Sequence, residues 1–529
     1  MSDADKGLGL PIAIFASAQF VMVLDSSVMN VSISQIVKDL DTTIQGVQLA
    51  ITAYTLVMAA LMLAGAKLGD ILGRSRTFAL GLAIYGVGSL TTALSPNLTV
   101  LLIGWSLIEG IGAALVVPAI VSLIAATYSG PPRRRRCRTP ALVGWFTTEL
   151  SWRYVFAGET LIVIAILFLR RRLQKAPAVE HPPKLDIVGV ALSTLGLGFA
   201  VFGILKSSEW GLVEPRGALT IGGEEITPFG FSAVPFLILA GVAFIAAFVL
   251  WEERRERKGL DTLLDRSLLR IKQLRAGLST LMMQQLILLG TFFVLPVYLQ
   301  VVLGLDAFES GKRLFPMSVS MFIAALAGPR LAAGFAPKRV AQVGLLALTA
   351  ASVFLLATID VELRGTAFAL SLTLFGVGAG LLLSQLGNVI MSSVEHAQIN
   401  EAGGLQGTAQ NLGASLGTAL IGAVLIAALT NGFVSQIEDN PAVTPPVRER
   451  VTQIAQEGIP IVPVDDVEQA ARDQGVPANE AKAIADDYGD AQLHGLKRAL
   501  LAVAIFALLS LWFTRGLPGR AEALAARAP

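Results

Sequence analysis

Three carboxylates, Asp25, Glu109 and Glu159, interrupt stretches that are otherwise Leu, Ile, Val, Ala and Gly. An acid in greasy surroundings holds its proton and an acid opened to water releases it, so one such group can load on one side of a barrier and discharge on the other. Glu109 stands roughly eleven residues into a stretch of about twenty-nine, close to its middle at 1.5 Å per residue. Gly110 and Gly112 beside it let a neighbouring helix approach closely. It is the leading candidate for a proton carrier, with a structural hydrogen bond to another helix as the competing use. Asp25 lies about fifteen residues along the first stretch, nearer its outer third. There Ser26, Ser27 and Asn30 could solvate it, for contact with a proton or a cationic substrate or for helix packing. Glu159 comes early in its stretch; it is the third candidate for proton coupling, with an interfacial acid that simply sees water as the competing reading, since an acid costs little there.

A second kind of chemistry is electrostatic. Residues 65–76 read GAKLGDILGRSR, with Asp70, Gly73, Arg74 and Arg76 crowded between two long apolar runs. Asp70 is expected to enter the third run, at a positive helix N-terminus and near both arginines, with Gly69 and Gly73 allowing tight turns. Such a cluster is a gate that biases two arrangements of the chain, or a plain topology signal. Polar side chains inside the later runs are candidates for the wall of a cavity: Gln284 and Gln285; Ser384, Gln385 and Asn388; Gln406, Gln410 and Asn411. Spacings of four put Ser384 with Asn388, and Gln406 with Gln410, on single helix faces that line water or substrate, or bond to other helices. Trp105, Phe292 and Phe293 could stack a flat apolar compound. Glycines at 403, 407, 413 and 417 have the spacing of close helix packing.

Other chemistry has little to stand on. The single cysteine, Cys137, allows neither an internal disulfide nor a cysteine metal cluster, and the three histidines lie outside the apolar runs. With no nucleotide loop and no nucleophile elbow, neither an enzyme nor a bound cofactor or metal is expected.

The elements that must position these groups are membrane helices. Hydrophobic residues make up 54% of the chain and charged residues 15%, against about 25% charged in a soluble globule. Apolar segments near 10–31, 45–66, 77–94, 98–126, 154–169, 185–205, 231–251, 276–303, 314–332, 340–359, 365–394, 404–429 and 496–514 are each read as a span. A short, damaged-looking segment at 139–150 makes fourteen. Lys and Arg gather in alternate loops, which places both termini in the cytoplasm and the protein in the cell (inner or plasma) membrane as a multi-pass chain. The acidic stretch 431–495 falls outside, as a small helical cap, a mobile flap or a solvated linker. The N-terminal decapeptide lacks a cleavage pattern, so the first span is expected to be retained. The basic run at 133–138 reads as a contact with anionic membrane lipid or a topology signal, and no nucleic acid is expected.

Leu68, Gly73 and Arg76 repeat as Leu331, Ala336 and Arg339 at one constant offset, although Ala333 stands where Asp70 would. Two related halves follow. The hinge GAKLGDILGRSR, the phrases LDSSVMNVSISQI and SLIEGIGAALVVPA, and EAGGLQGTAQNLGASLGTA together resemble the major facilitator superfamily, in its fourteen-span drug:proton antiporter branch. The resemblance covers residues 10–515. It implies an all-α integral membrane fold with an N-terminal half over 1–172, two added spans over 173–272, a C-terminal half over 273–430, the outer loop 431–495 and a last span with its tail over 496–529. It also implies a monomer that exports small amphipathic compounds in exchange for protons by alternating access. Two departures stand out. Trp105 and Glu109 occupy positions where the family has an arginine and a glutamine, which points to proton handling rearranged around Glu109. In the fifth span, Pro140, Gly144 and Trp145 match the tail of the antiporter motif while arginines replace its start. A lost motif leaves two further readings open, a lipid or amphiphile transporter and a non-transporting membrane receptor or scaffold.

Overall fold

The computed structural model describes residues 9–127, 152–170, 184–215, 219–221, 224–361, 363, 365–395, 398–457 and 459–519. The segment at 139–150, the basic run at 133–138 and Cys137 lie outside them.

The N-terminal half comprises α1 (Gly9–Val31), the short α2 (Ile33–Asp39), α3 (Ile44–Leu72), α4 (Arg74–Ala93), α5 (98–127) and α6 (Trp152–Leu169). Next come α7 (Ile187–Trp210), a small hairpin of β1 (Leu219–Ile221) with β2 (Glu224–Ile226), α8 (Ala233–Arg257) and the one-turn α9 (Arg266–Arg270). The C-terminal half holds α10 (Lys272–Val302), α11 (Ala307–Gly334), α12 (Pro337–Leu356), α13 (Gly365–Ser392) and α14 (Ile399–Asp439). Two short helices, α15 (Pro445–Glu457) and α16 (Val464–Asp473), precede the last long one, α17 (Ala478–Ser510). Ten of the described helices are long and apolar enough to cross a membrane. In lipid the helix is the open choice, because every backbone amide finds its partner within the segment.

The two halves obey a single register. Helix α3 starts at Ile44 and α11 at Ala307, α4 starts at Arg74 and α12 at Pro337, and these last two end at Ala93 and Leu356, all 263 residues apart. The weak repeat of the hinge residues is therefore a repeat of whole helices. Glycine sets the close crossings: a Cβ on Gly413 would sit 2.2 Å from the Met282 carbonyl oxygen, and one on Gly417 2.4 Å from that of Leu286, so α14 lies directly on α10. Along its other side α14 packs on α3, joining the halves, where Gln48 donates to the Thr418 carbonyl (2.9 Å) and Ser415 to that of Thr52 (3.1 Å). The added pair α7 and α8 packs together and rests on this seam through Val201, Leu205 and Ala419.

Helices α14 and α17 run past the expected ends of their spans. The acids Asp486, Asp487 and Asp490 therefore belong to α17, and the segment between the two long helices is only 440–477. It is tied down: Tyr488 donates to the Pro460 carbonyl (2.8 Å), and Asn440 donates to Asp487 (2.6 Å).

The first hinge also differs from expectation. Asp70 sits in the last turn of α3, not at the start of the third span, because the helix breaks at Gly73. Gly73 has φ +87°, a conformation L side chains rarely adopt, so glycine is required there. Gly69 is helical, and a Cβ there would meet nothing within 4 Å. Thr77 closes the corner by donating to the Leu68 carbonyl (3.1 Å), and Arg170 at the end of α6 donates to that of Ser75 (2.5 Å).

Candidate functional site

Inside the N-terminal half, α1, α5 and α6 bring Asp25, Glu109 and Glu159 to one point. All three are 0% exposed, and a carboxylate oxygen from each lies within 4.8 Å of the others. Of the two readings of Glu159, the interfacial acid in contact with water does not hold: the residue is fully buried and faces α4.

Local structure explains the convergence. The segment Leu102–Glu109 of α5 is a π-helix, a wider turn that re-aims Trp105 and Glu109 relative to a regular helix. Small residues then draw α4 against α5. A Cβ on Gly88 would lie 2.5 Å from the Glu109 backbone nitrogen, and one on Gly112 2.5 Å from that of Tyr85. Trp105 donates its indole N–H to Asp25 at 2.5 Å, tying α5 to α1. Ser89 donates to Glu159 (3.3 Å), and the Tyr85 hydroxyl approaches the same oxygen at 3.4 Å.

These partners leave the acids under-satisfied. One oxygen of Asp25, one of Glu159 and both of Glu109 are buried without a hydrogen bond, and no described Lys, Arg or His forms an ion pair with any of the three. A buried ion costs several kcal/mol even after relaxation. Three adjacent negative charges in such a place cannot persist, so charge must be carried in by protons or by a cation. The repeat sharpens the contrast: 263 residues after Asp25 and Glu109 stand Leu288 and Leu372, both in the apolar core of the C-terminal half.

Tyr54, Tyr85 and Ser89 are site residues that sequence reasoning missed. Tyr85 and Ser89 share a face of α4 at a spacing of four, the one signal that could have found them. Tyr54 stacks on Trp105 with ring centroids 4.7 Å apart and planes within 6°, so that face of Trp105 is covered by protein and not open to a flat compound. The side chains of Ser26, Ser27 and Asn30 are outside the described set.

The polar residues of the C-terminal half do not join this cluster. Gln284 is buried and donates to the Ala379 carbonyl (3.3 Å), which braces α10 on α13. Gln385 donates to the Gly328 carbonyl (3.1 Å), which braces α13 on α11, and to its own helix neighbour Ser384 (3.0 Å). Gln285, Gln406, Gln410 and Phe292 are half-buried, and Asn388 is exposed. Gln406 reaches toward Gly387 across α13 and α14, and its Oε1 is buried without a partner.

Comparison with known proteins places this architecture. The family model of the Major Facilitator Superfamily matches residues 15–136 and 217–418. The chain is 28% identical over 455 residues to the probable actinorhodin transporter of Streptomyces coelicolor, covering 81% of this chain and 74% of that one. It is 27% identical to the tetracenomycin C resistance and export protein of Streptomyces glaucescens, covering 81% and 78%. Against the multidrug efflux pump LfrA of Mycolicibacterium smegmatis identity is 26%, covering 79% and 80%. Among solved structures, the nucleoside transporter NupG superposes with a TM-score of 0.52 at 11% identity, covering 96% of this chain and 99% of that one. An inward-facing bacterial homologue of the human lysosomal transporter Spinster gives 0.50 at 15%, covering 98% of each. At such identities the two structures speak to the fold alone.

Proposed function

The chain belongs to the Major Facilitator Superfamily, and from that premise we propose that it exports amphipathic, drug-like compounds across the cell membrane in exchange for protons, as a monomer with both termini in the cytoplasm. The export reading is supported by the relatives, which are named for antibiotic export, resistance and multidrug efflux. The proton reading rests on the buried cluster of Asp25, Glu109 and Glu159.

Glu109 is the proton carrier in this scheme. Its two unpartnered oxygens are the least satisfied of the three acids, and the π-helical turn puts it at the contact with α4. Asp25 is held by Trp105 and shares the charge, while Glu159 is fixed by Ser89 and Tyr85. When the halves rock about the α3–α14 seam, opening the cluster to water on one side exchanges its protons there. The Asp70, Gly73, Arg74 and Arg76 hinge biases that rocking. Gln285, Phe292, Ser384, Asn388, Gln406 and Gln410 are the candidates for the substrate wall, and Gln284 and Gln385 would join them only in an arrangement that frees them from their interhelical hydrogen bonds.

The experiment is uptake of a fluorescent amphipathic cation into inverted vesicles with an imposed pH gradient. Wild-type protein should accumulate the dye with the gradient and consume the gradient as it does so. Glu109→Gln should do neither while keeping its folded elution profile. Gradient-independent movement of the dye by wild type would overturn the coupling.

A further inference from the structure

On the outer surface, where α12 meets α17 at the hinge end of both, lies a groove of about 520 Å³. Leu346, Leu508 and Leu511 line its length, and Gln342, Trp512 and Arg515 stand toward the hinge loop. Trp512 is 65% exposed on this face, and an exposed indole on a membrane helix is the kind of ring that favours the head-group level. The Arg515 guanidinium lies over the Trp512 ring, 3.9 Å from its centroid. Lys338, the second residue of α12, is not part of the lining but donates to the Arg515 carbonyl at 3.3 Å, so a second cation stands beside the polar end of the apolar groove. Neither forms an ion pair with a carboxylate among the described residues.

The repeat gives this arrangement a meaning. Lys338 belongs to the second hinge, the counterpart of residues 65–76, and there Ala333 replaces the acid that the first hinge has in Asp70. The second hinge has kept its positive charge and lost its carboxylate. We propose that the groove binds an anionic phospholipid of the adjoining leaflet, its acyl chain along Leu346, Leu508 and Leu511 and its phosphate between Lys338 and Arg515. The lipid then supplies to the second hinge the negative charge that the chain itself supplies to the first. Charge complementarity selects an anionic head group over a zwitterionic one, since basic side chains at a membrane surface attract anionic lipid.

Trp512 is a built-in reporter. The protein is reconstituted in phosphatidylcholine vesicles carrying a minor fraction of bromine-labelled phosphatidylglycerol or bromine-labelled phosphatidylcholine, and the Trp512 signal is taken as wild type minus Trp512→Phe. Half-quenching is expected at a mole fraction on the order of fivefold lower for phosphatidylglycerol. The double variant Lys338→Gln, Arg515→Gln should make the two lipids equal. If it does not fold, Arg515→Gln alone, at an exposed position, is expected to shrink the preference. Equal quenching by both lipids in wild type, or an undiminished preference in the charge variants, would overturn the proposal.

Discussion

Glu109 and its neighbours present a conflict between stability and use. A leucine fills the repeat-related position 372, so Glu109→Leu is expected to stabilise the fold by about 1–4 kcal/mol, as when buried ionic groups give way to apolar ones. Proton-coupled transport should vanish in the same variant. Thermal unfolding alongside vesicle uptake reads both, and a destabilised Glu109→Leu would mark the cluster as a structural network. Trp105→Phe should cost about 1.5–3 kcal/mol through the lost hydrogen bond to Asp25, visible as a lower unfolding temperature; an unchanged one would mean that bond is not made. The three acids were legible in the sequence because a carboxylate inside an apolar run stands out by composition. Tyr54, Tyr85 and Ser89 were not, since their relevance appears only when α3, α4 and α6 converge. Glu159 was misjudged because distance from a span's start says how deep a residue lies and nothing about which way it faces.

At the scale of elements, two backbone features carry the site: the π-helical turn of α5 and the break at Gly73. Gly73→Ala has room for its methyl group but must adopt φ +87°, which costs about 1–3 kcal/mol. Transport should slow while substrate affinity holds, because the cluster is far along the helices from the hinge. An unaltered rate, measured as vesicle turnover, would show that the corner does not move. The span pattern gave most helices to within a few residues, since hydropathy reports what must sit in lipid. It could not show that α14 and α17 continue beyond their apolar stretches, nor that Asp70 lies in the last turn of α3, because both are settled by where hydrogen-bonded turns stop. The π-turn leaves no mark on hydrophobic periodicity over so short a stretch.

For the whole molecule, the proposed alternating access requires the halves to separate at one end and then the other. In this structure Ser34 of α2 donates to Gln300 of α10 at 2.7 Å, and Gln45 of α3 donates to the Ile459 carbonyl of the cap at 3.1 Å. Both contacts join the halves at the end opposite the hinges. A pair of cysteines, Gln45→Cys and Ile459→Cys with Cys137→Ser, should cross-link under oxidant and stop export until reduced; undiminished export by the cross-linked protein would show that this end never opens. The two-half plan was visible in three aligned hinge positions, two of them identical, and the offset of 263 extends it to whole helices.

Export coupled to protons held by the buried carboxylates should show as proton release when substrate binds, and that release tests the coupling most directly. Purified protein in weakly buffered detergent is titrated with a high-affinity amphipathic substrate while pH is recorded. Wild type should release protons in proportion to occupied sites, and Glu109→Gln should bind substrate with the release abolished. Binding to wild type with no proton release, or equal release from Glu109→Gln, would contradict the claim.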